Sequence, residues 1–163
     1  MHLRDLQQYL FELSENNQRA WFVMNKPRYD ILRAEFLEMV TILSTQIEKF
    51  DPQMLACDPK KALFRINRDV RFGADKSPYK TTFSAAMTAS GRKKPSEGGG
   101  PAYYFQLDKS GNILYAIGEY CPPPDRLKAI RHHILTDGIG FKAALKKLNK
   151  SLGDLQDEAS LKR

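Results

Sequence analysis

The hydrophobic period of this 163-residue chain changes once, near Lys61, and the change separates leading helices from a sheet that follows. Upstream, Leu32, Phe36, Met39, Leu43, Ile47 and Phe50 recur at steps of three or four, which is one face of a 3.6-residue repeat. Pro27 suits the first turn of that helix, and Asp51-Pro52 ends it. Leu3, Leu6, Leu10 and Leu13 predict an earlier helix over residues 3–14. Asn16 and Asn17 interrupt it before a short helical piece near Gln18 that should carry Trp21, Phe22 and Met24 inward.

Downstream the period is two. Ala62, Phe64 and Ile66 alternate with Leu63, Arg65 and Asn67, which predicts a strand whose polar face carries Arg65, Asn67 and Asp69. Phe83, Ala85, Met87 and Ala89 mark the inner face of a second strand over residues 80–89, with Thr82, Ser84 and Thr88 on the other. Residues 103–107 and 113–120 predict a hairpin turning through Asp108-Lys109-Ser110-Gly111-Asn112. After Pro122-Pro123-Pro124, Leu127, Ile130, Ile134 and Leu135 predict a helix, and Phe141, Leu145 and Leu148 a shorter one before a polar, frayed end from Ser151. The expected fold is α+β, with N-terminal helices, a mainly antiparallel sheet of about four or more strands, and C-terminal helices. Strand and helix do not alternate as in a Rossmann fold, and no internal repeat is present.

The length suits a single domain over residues 1–163. Residues 90–101 hold no large apolar side chain to anchor them and are expected to form a mobile loop. Their three glycines lie near cations but lack the GxxxxGK[ST] spacing of a phosphate cradle. Two cysteines without CxxC spacing, a polar N-terminus and no apolar run near the roughly 18 residues of a membrane span predict a cytoplasmic protein with no membrane role.

The formal charge of +7 is unevenly spread. Between Lys60 and Lys94 ten basic residues face only Asp69 and Asp75, a local net of +8, while the remainder is nearly balanced. Within this stretch, residues 65–80 interleave cations with Ile66, Val70, Phe72 and Tyr79, and Gly73 gives the backbone room to turn. Such interleaving points to a site for an anion rather than a solvated face. Arg65, Arg68 and Arg71 offer planar forks for phosphate or carboxylate, Lys76 and Lys80 add compact charges, and Tyr79 and Tyr103 supply hydroxyls or stacking surfaces. A small anionic molecule or nucleotide suits this set better than nucleic acid, because no helix-turn-helix, zinc-finger or RNA-recognition signature accompanies it.

Asp69 and Asp75 have two available roles: holding the arginines in place, or acting directly, as bases or magnesium ligands, in an enzyme for a phosphorylated substrate. A third reading makes the whole segment a structural ion-pair network in a protein-interaction domain. Neither HExxH nor GxSxG occurs, and His132 and His133 are adjacent on a predicted helix, about 100° apart, so no metal site or cofactor is indicated. Whether a reaction accompanies binding is left open by these residues.

The run from Arg65 to Tyr79 resembles the signature of the family catalogued as domain of unknown function 2461. Further matches follow in order: Phe11-Glu12-Leu13, Asn16-Asn17, Trp21-Phe22, Lys26 and Tyr29; then Tyr103-Tyr104; then residues 118–122 and 127–134. The resemblance implies a widespread, mostly bacterial, intracellular protein, and brings no activity with it. It also implies a chain that continues past Arg163, so a C-terminal truncation is expected here.

Overall fold

Four apolar residues at helical spacing, Leu6, Tyr9, Leu10 and Leu13, are buried along one side of helix α1, Leu3–Glu15. In the computed structural model, which describes residues 2–71, 74–90 and 100–152, this stripe meets α3, Lys26–Glu48, in a shared core. Between them α2, Arg19–Met24, is a short connector: Trp21 and Phe22 pack against the core, whereas Met24, expected inward, is exposed. On α3 the buried residues are Tyr29, Leu32, Phe36, Val40 and Ser44, while Met39, Leu43 and Ile47 are only partly covered and Phe50 is exposed. The stripe read from sequence is therefore rotated over the second half of the helix.

Strands β1, Thr82–Met87, β2, Ala102–Asp108, and β3, Ile113–Gly118, form an antiparallel meander in that order. Phe83, Ala85 and Met87 of β1 and Phe105 and Leu107 of β2 face the helices. Phe36 joins the two layers, with ring centroids 5.3 Å from Phe83 and 5.8 Å from Phe105. The β2–β3 turn closes as its sequence predicts: Asp108 Oδ1 accepts from the backbone N–H of Ser110 and Asn112, and Gly111 takes φ +81°.

The sheet has three strands among the described residues, not the four or more expected. The missing strand is the one read at residues 62–66. Asp58 accepts from Lys60 N–H and Pro59 sits in the first turn, so Pro59–Ala62 becomes helix α4. Beyond it the chain touches β1 at the single bridge Leu63–Ala85, with Phe64 N–H donating to Ser84 O. It then leaves β1 and pairs with its own return at Asn67–Tyr79. Consecutive ladder pairs never accumulate.

The residues divide into two compact units, Met1–Cys121 and Pro122–Arg163. The second contains α5, Pro124–Thr136, and α6, Gly138–Leu152, with Asp137 between them accepting from Gly140 N–H. The expected mobile loop at 90–101 falls largely on residues 91–99, which lie outside the described residues together with Phe72, Gly73 and the end from residue 153. Among the described residues no helix is long and apolar enough to cross a membrane.

Candidate functional site

The charged segment is built on a narrow two-stranded return. Arg68 N–H donates to Pro78 O at 2.9 Å and Lys80 N–H to Ile66 O at 2.8 Å. The backbone of Tyr79 points the other way, where a strand would need another partner. Asn17 supplies it: Tyr79 N–H donates to Asn17 Oδ1 at 3.0 Å, and Asn17 Nδ2 donates to Tyr79 O at 2.9 Å. The Tyr79 ring stacks on Phe22 at 4.1 Å and is buried. Tyr79, expected among the ligand-binding groups, thus anchors the segment to the helices.

The two carboxylates are engaged locally. Arg71 grips Asp69 with Nε at 2.9 Å and Nη2 at 2.7 Å, and its own backbone N–H also donates to Asp69. Those bonds hold the Asp69 carboxyl well below the usual carboxylate range. Asp75 accepts from Ser77 N–H at 2.9 Å and pairs with Arg68, which also donates to Ser77 Oγ. The Ser77 bonds first, then Arg68, lower the Asp75 carboxyl to about 2. Lys76 Nζ donates to Val70 O.

Lys80 and Arg65 remain. Neither makes a side-chain hydrogen bond or an ion pair among the described residues. Lys80 is half-buried, with Nζ 5.3 Å from the centre of the Phe64 ring. Burial pushes its ammonium pKa down, and the positive charges of Arg65 and Arg68 push it further the same way.

Lys80 lines an open concavity of about 250 Å³ together with Phe64, Thr82, Ser84, Tyr104 and Gln106. These strand residues occupy the sheet face opposite the core, brought side by side by the pairing of Ser84 with Gln106 and Ala86 with Tyr104. Tyr104 donates to Gln106 Oε1 at 2.7 Å and meets Phe64 edge-on at 6.3 Å. Arg33 of α3 reaches Phe64 O and steadies that wall. Tyr103, on the other face, donates instead to Asp51.

Of the sequence-selected residues, the structure sets Lys80 on this concavity, with Arg65 and Arg68 near enough to act on its charge, and engages Arg68, Arg71, Lys76, Asp69 and Asp75 within the segment itself. Phe64, Thr82, Ser84 and Gln106 were not selected. Their signal was the second face of the strand alternation, polar at Thr82 and Ser84, which becomes a site only once β2 is in register. No group of three or more His, Cys, Asp or Glu among the described residues has the arrangement to hold a metal.

Helices backing a three-stranded antiparallel sheet make this an α+β protein. The chain belongs to the family described as conserved hypothetical protein (DUF2461), whose profile matches residues 5–163. No curated protein and no solved structure matches it.

Proposed function

We propose that the protein binds a small phosphate-bearing anion at the outer face of its sheet, in the concavity walled by Lys80. The supporting observation is an uncompensated cation there: Lys80 is half-buried, is repelled by Arg65 and Arg68, and, unlike Arg68 with its Asp75, has no carboxylate partner among the described residues. A bound anion relieves that repulsion, whereas an empty site keeps it. Thr82, Ser84, Tyr104 and Gln106 offer hydrogen bonds, and Phe64 an apolar wall. The size of the concavity favours a metabolite or nucleotide fragment over a nucleic-acid strand. We place this activity in the cytoplasm, in keeping with two free cysteines, Cys57 and Cys121.

The Arg71–Asp69 and Arg68–Asp75 pairs support a second role for the same segment, fixing its own loop. They also disfavour Asp69 and Asp75 as general bases, because carboxylates held so acidic take protons poorly at neutral pH.

Titration with inorganic phosphate, followed by 31P NMR and by thermal unfolding, tests the proposal. Lys80→Gln and Arg65→Gln are expected to lose at least tenfold in phosphate affinity, and Arg71→Gln less than threefold. Equal loss in all three, or no phosphate-dependent stabilisation of the wild type, overturns it.

A further inference from the structure

We propose that two copies of this chain pair through the free edge of β3, antiparallel about a two-fold axis at Tyr115, and so build one six-stranded sheet. This association is independent of the anion site.

The hairpin decides which backbone groups are left over. Asp108 N–H donates to Asn112 O, so in the β2–β3 register the hydrogen-bonded pairs are Gln106 with Leu114, Tyr104 with Ala116 and Ala102 with Gly118. The alternate residues Ile113, Tyr115 and Ile117 therefore turn their N–H and C=O groups to the open edge, where no described residue meets them. Setting Ile113 across from Ile117 of a second copy, and Tyr115 across from Tyr115, satisfies every one of these groups in both strands. A slip of two residues leaves some of them unmatched. One register is thus preferred, and it is self-complementary.

The side chains suit the same register. Ile113, Tyr115 and Ile117 share the sheet face of Leu107 and Phe105, with which the first two pair, yet they are 49, 63 and 76% exposed. In the paired strands each isoleucine lies across from an isoleucine and the two Tyr115 rings meet at the axis, so the uncovered apolar groups of one copy shield those of the other. Charge does not oppose the approach. The chain carries a formal +7, but Ile113–Gly118 holds no charged residue and neither the lysine nor the proline that commonly guards an edge. At both ends Gly111 faces Glu119, which brings the turn carrying Lys109 against a carboxylate of the other copy.

The assembly also closes. The opposite edge of the sheet is occupied, since Leu63 bridges Ala85 of β1 and Phe64 N–H donates to Ser84 O. Each copy therefore offers one free edge, its partner consumes it, and growth stops at two. A six-residue strand covers less than the about 800 Å² per partner of a standard interface, so the pair belongs to the weak, concentration-dependent class. The two-fold axis runs through the sheet, so both concavities walled by Lys80 open on the same side of the joined sheet.

Sedimentation equilibrium of the full chain from about 5 to about 500 µM spans the range for such an interface, and the mass should rise from one copy towards two and stop there. Tyr115→Lys opposes two ammonium groups at the axis and should weaken association at least tenfold. Because Tyr115 also packs on Phe105, Ile117→Lys, at the most exposed of the three positions, is the second variant and should weaken it at least threefold with an unchanged circular dichroism spectrum. Amide exchange reports the register: raising the concentration should slow Ile113, Tyr115 and Ile117 at least threefold, and Leu114 and Ala116, already bonded to β2, less than twofold. A mass of one copy throughout, a mass that grows past two, or protection spread evenly along β3 overturns the proposal.

Discussion

Tyr9 is fully buried, yet its hydroxyl has no hydrogen-bond partner among the described residues. Its ring packs on Trp21 and Tyr29, and Arg28 lies over its face, so the aromatic body is well used while the oxygen is not. Tyr9→Phe should therefore leave stability unchanged or raise it by up to about 1 kcal/mol in urea denaturation, because it deletes a desolvated group without opening space. Asn17 is the opposite case, since its amide satisfies both backbone groups of Tyr79. Asn17→Ala should cost about 2–4 kcal/mol in the same measurement, from two polar groups left without partners. Asp75 gives a pH signature. Its carboxyl sits at about 2 in the folded chain, below the roughly 3.9 of an unfolded aspartate, so between those values the unfolded state binds more protons. The stabilisation is present above about pH 4 and fades as pH falls towards 2; Asp75→Asn should flatten that part of the stability curve and let it converge with the wild type in stronger acid.

Among the elements, those whose pattern is local were legible in the sequence. The period of Leu6, Leu10 and Leu13 gives α1, and that of Phe83, Ala85 and Met87 gives the core face of β1. The strand expected at 62–66 fails because two local signals compete there. Asp58-Pro59 is a break in the previous helix and equally the capped start of the next, and the alternation of Ala62, Phe64 and Ile66 continues through it. A sequence reading sees the alternation; the cap decides the first residues and the return through Tyr79 decides the rest. Burial extends to the second face of β1, where Ser84 is covered, and to Thr88 just beyond the strand. At the far edge, β3 is exposed along its length, including Ile113, Leu114, Tyr115 and Ile117. An apolar edge strand of this kind invites pairing between chains. Ile117→Lys should change the melting temperature little, within about 0.5 kcal/mol of stability, and should reduce light scattering on heating.

For the whole molecule, the excess charge is laid over the core rather than beside it, since Ile66 and Tyr79 of the charged segment belong to the buried cluster. All residues of the buried core cluster fall between Leu6 and Leu107. A fragment ending at Cys121 contains every one of them and should unfold in a single cooperative transition when followed by circular dichroism; a gradual, non-cooperative melt would show that residues beyond it are required. The candidate site was half legible for the same reason the sheet was. Arg65, Arg68 and Lys80 announce themselves as an excess of charge in one segment, a property of composition. Thr82, Ser84, Tyr104 and Gln106 become neighbours only through the antiparallel register of β1 and β2, which no single strand encodes. Nor does charge density distinguish Arg71, gripped by Asp69, from Arg65, which is not.

The clamp of Asn17 on Tyr79 spans 62 positions of sequence, and Lys80 is the next residue along. Such a contact forms only after the helices and the charged segment have found each other, because closing a long loop comes before any reward from it. The amide proton of Tyr79 is consequently a built-in clock for site assembly. Its hydrogen-exchange rate should follow that of the slowest core amides, and Asn17→Ala should release it to rapid exchange while the amides of β2 stay protected. Lys80, held in place through its neighbour, reaches the wall of the concavity only in a chain that has finished folding.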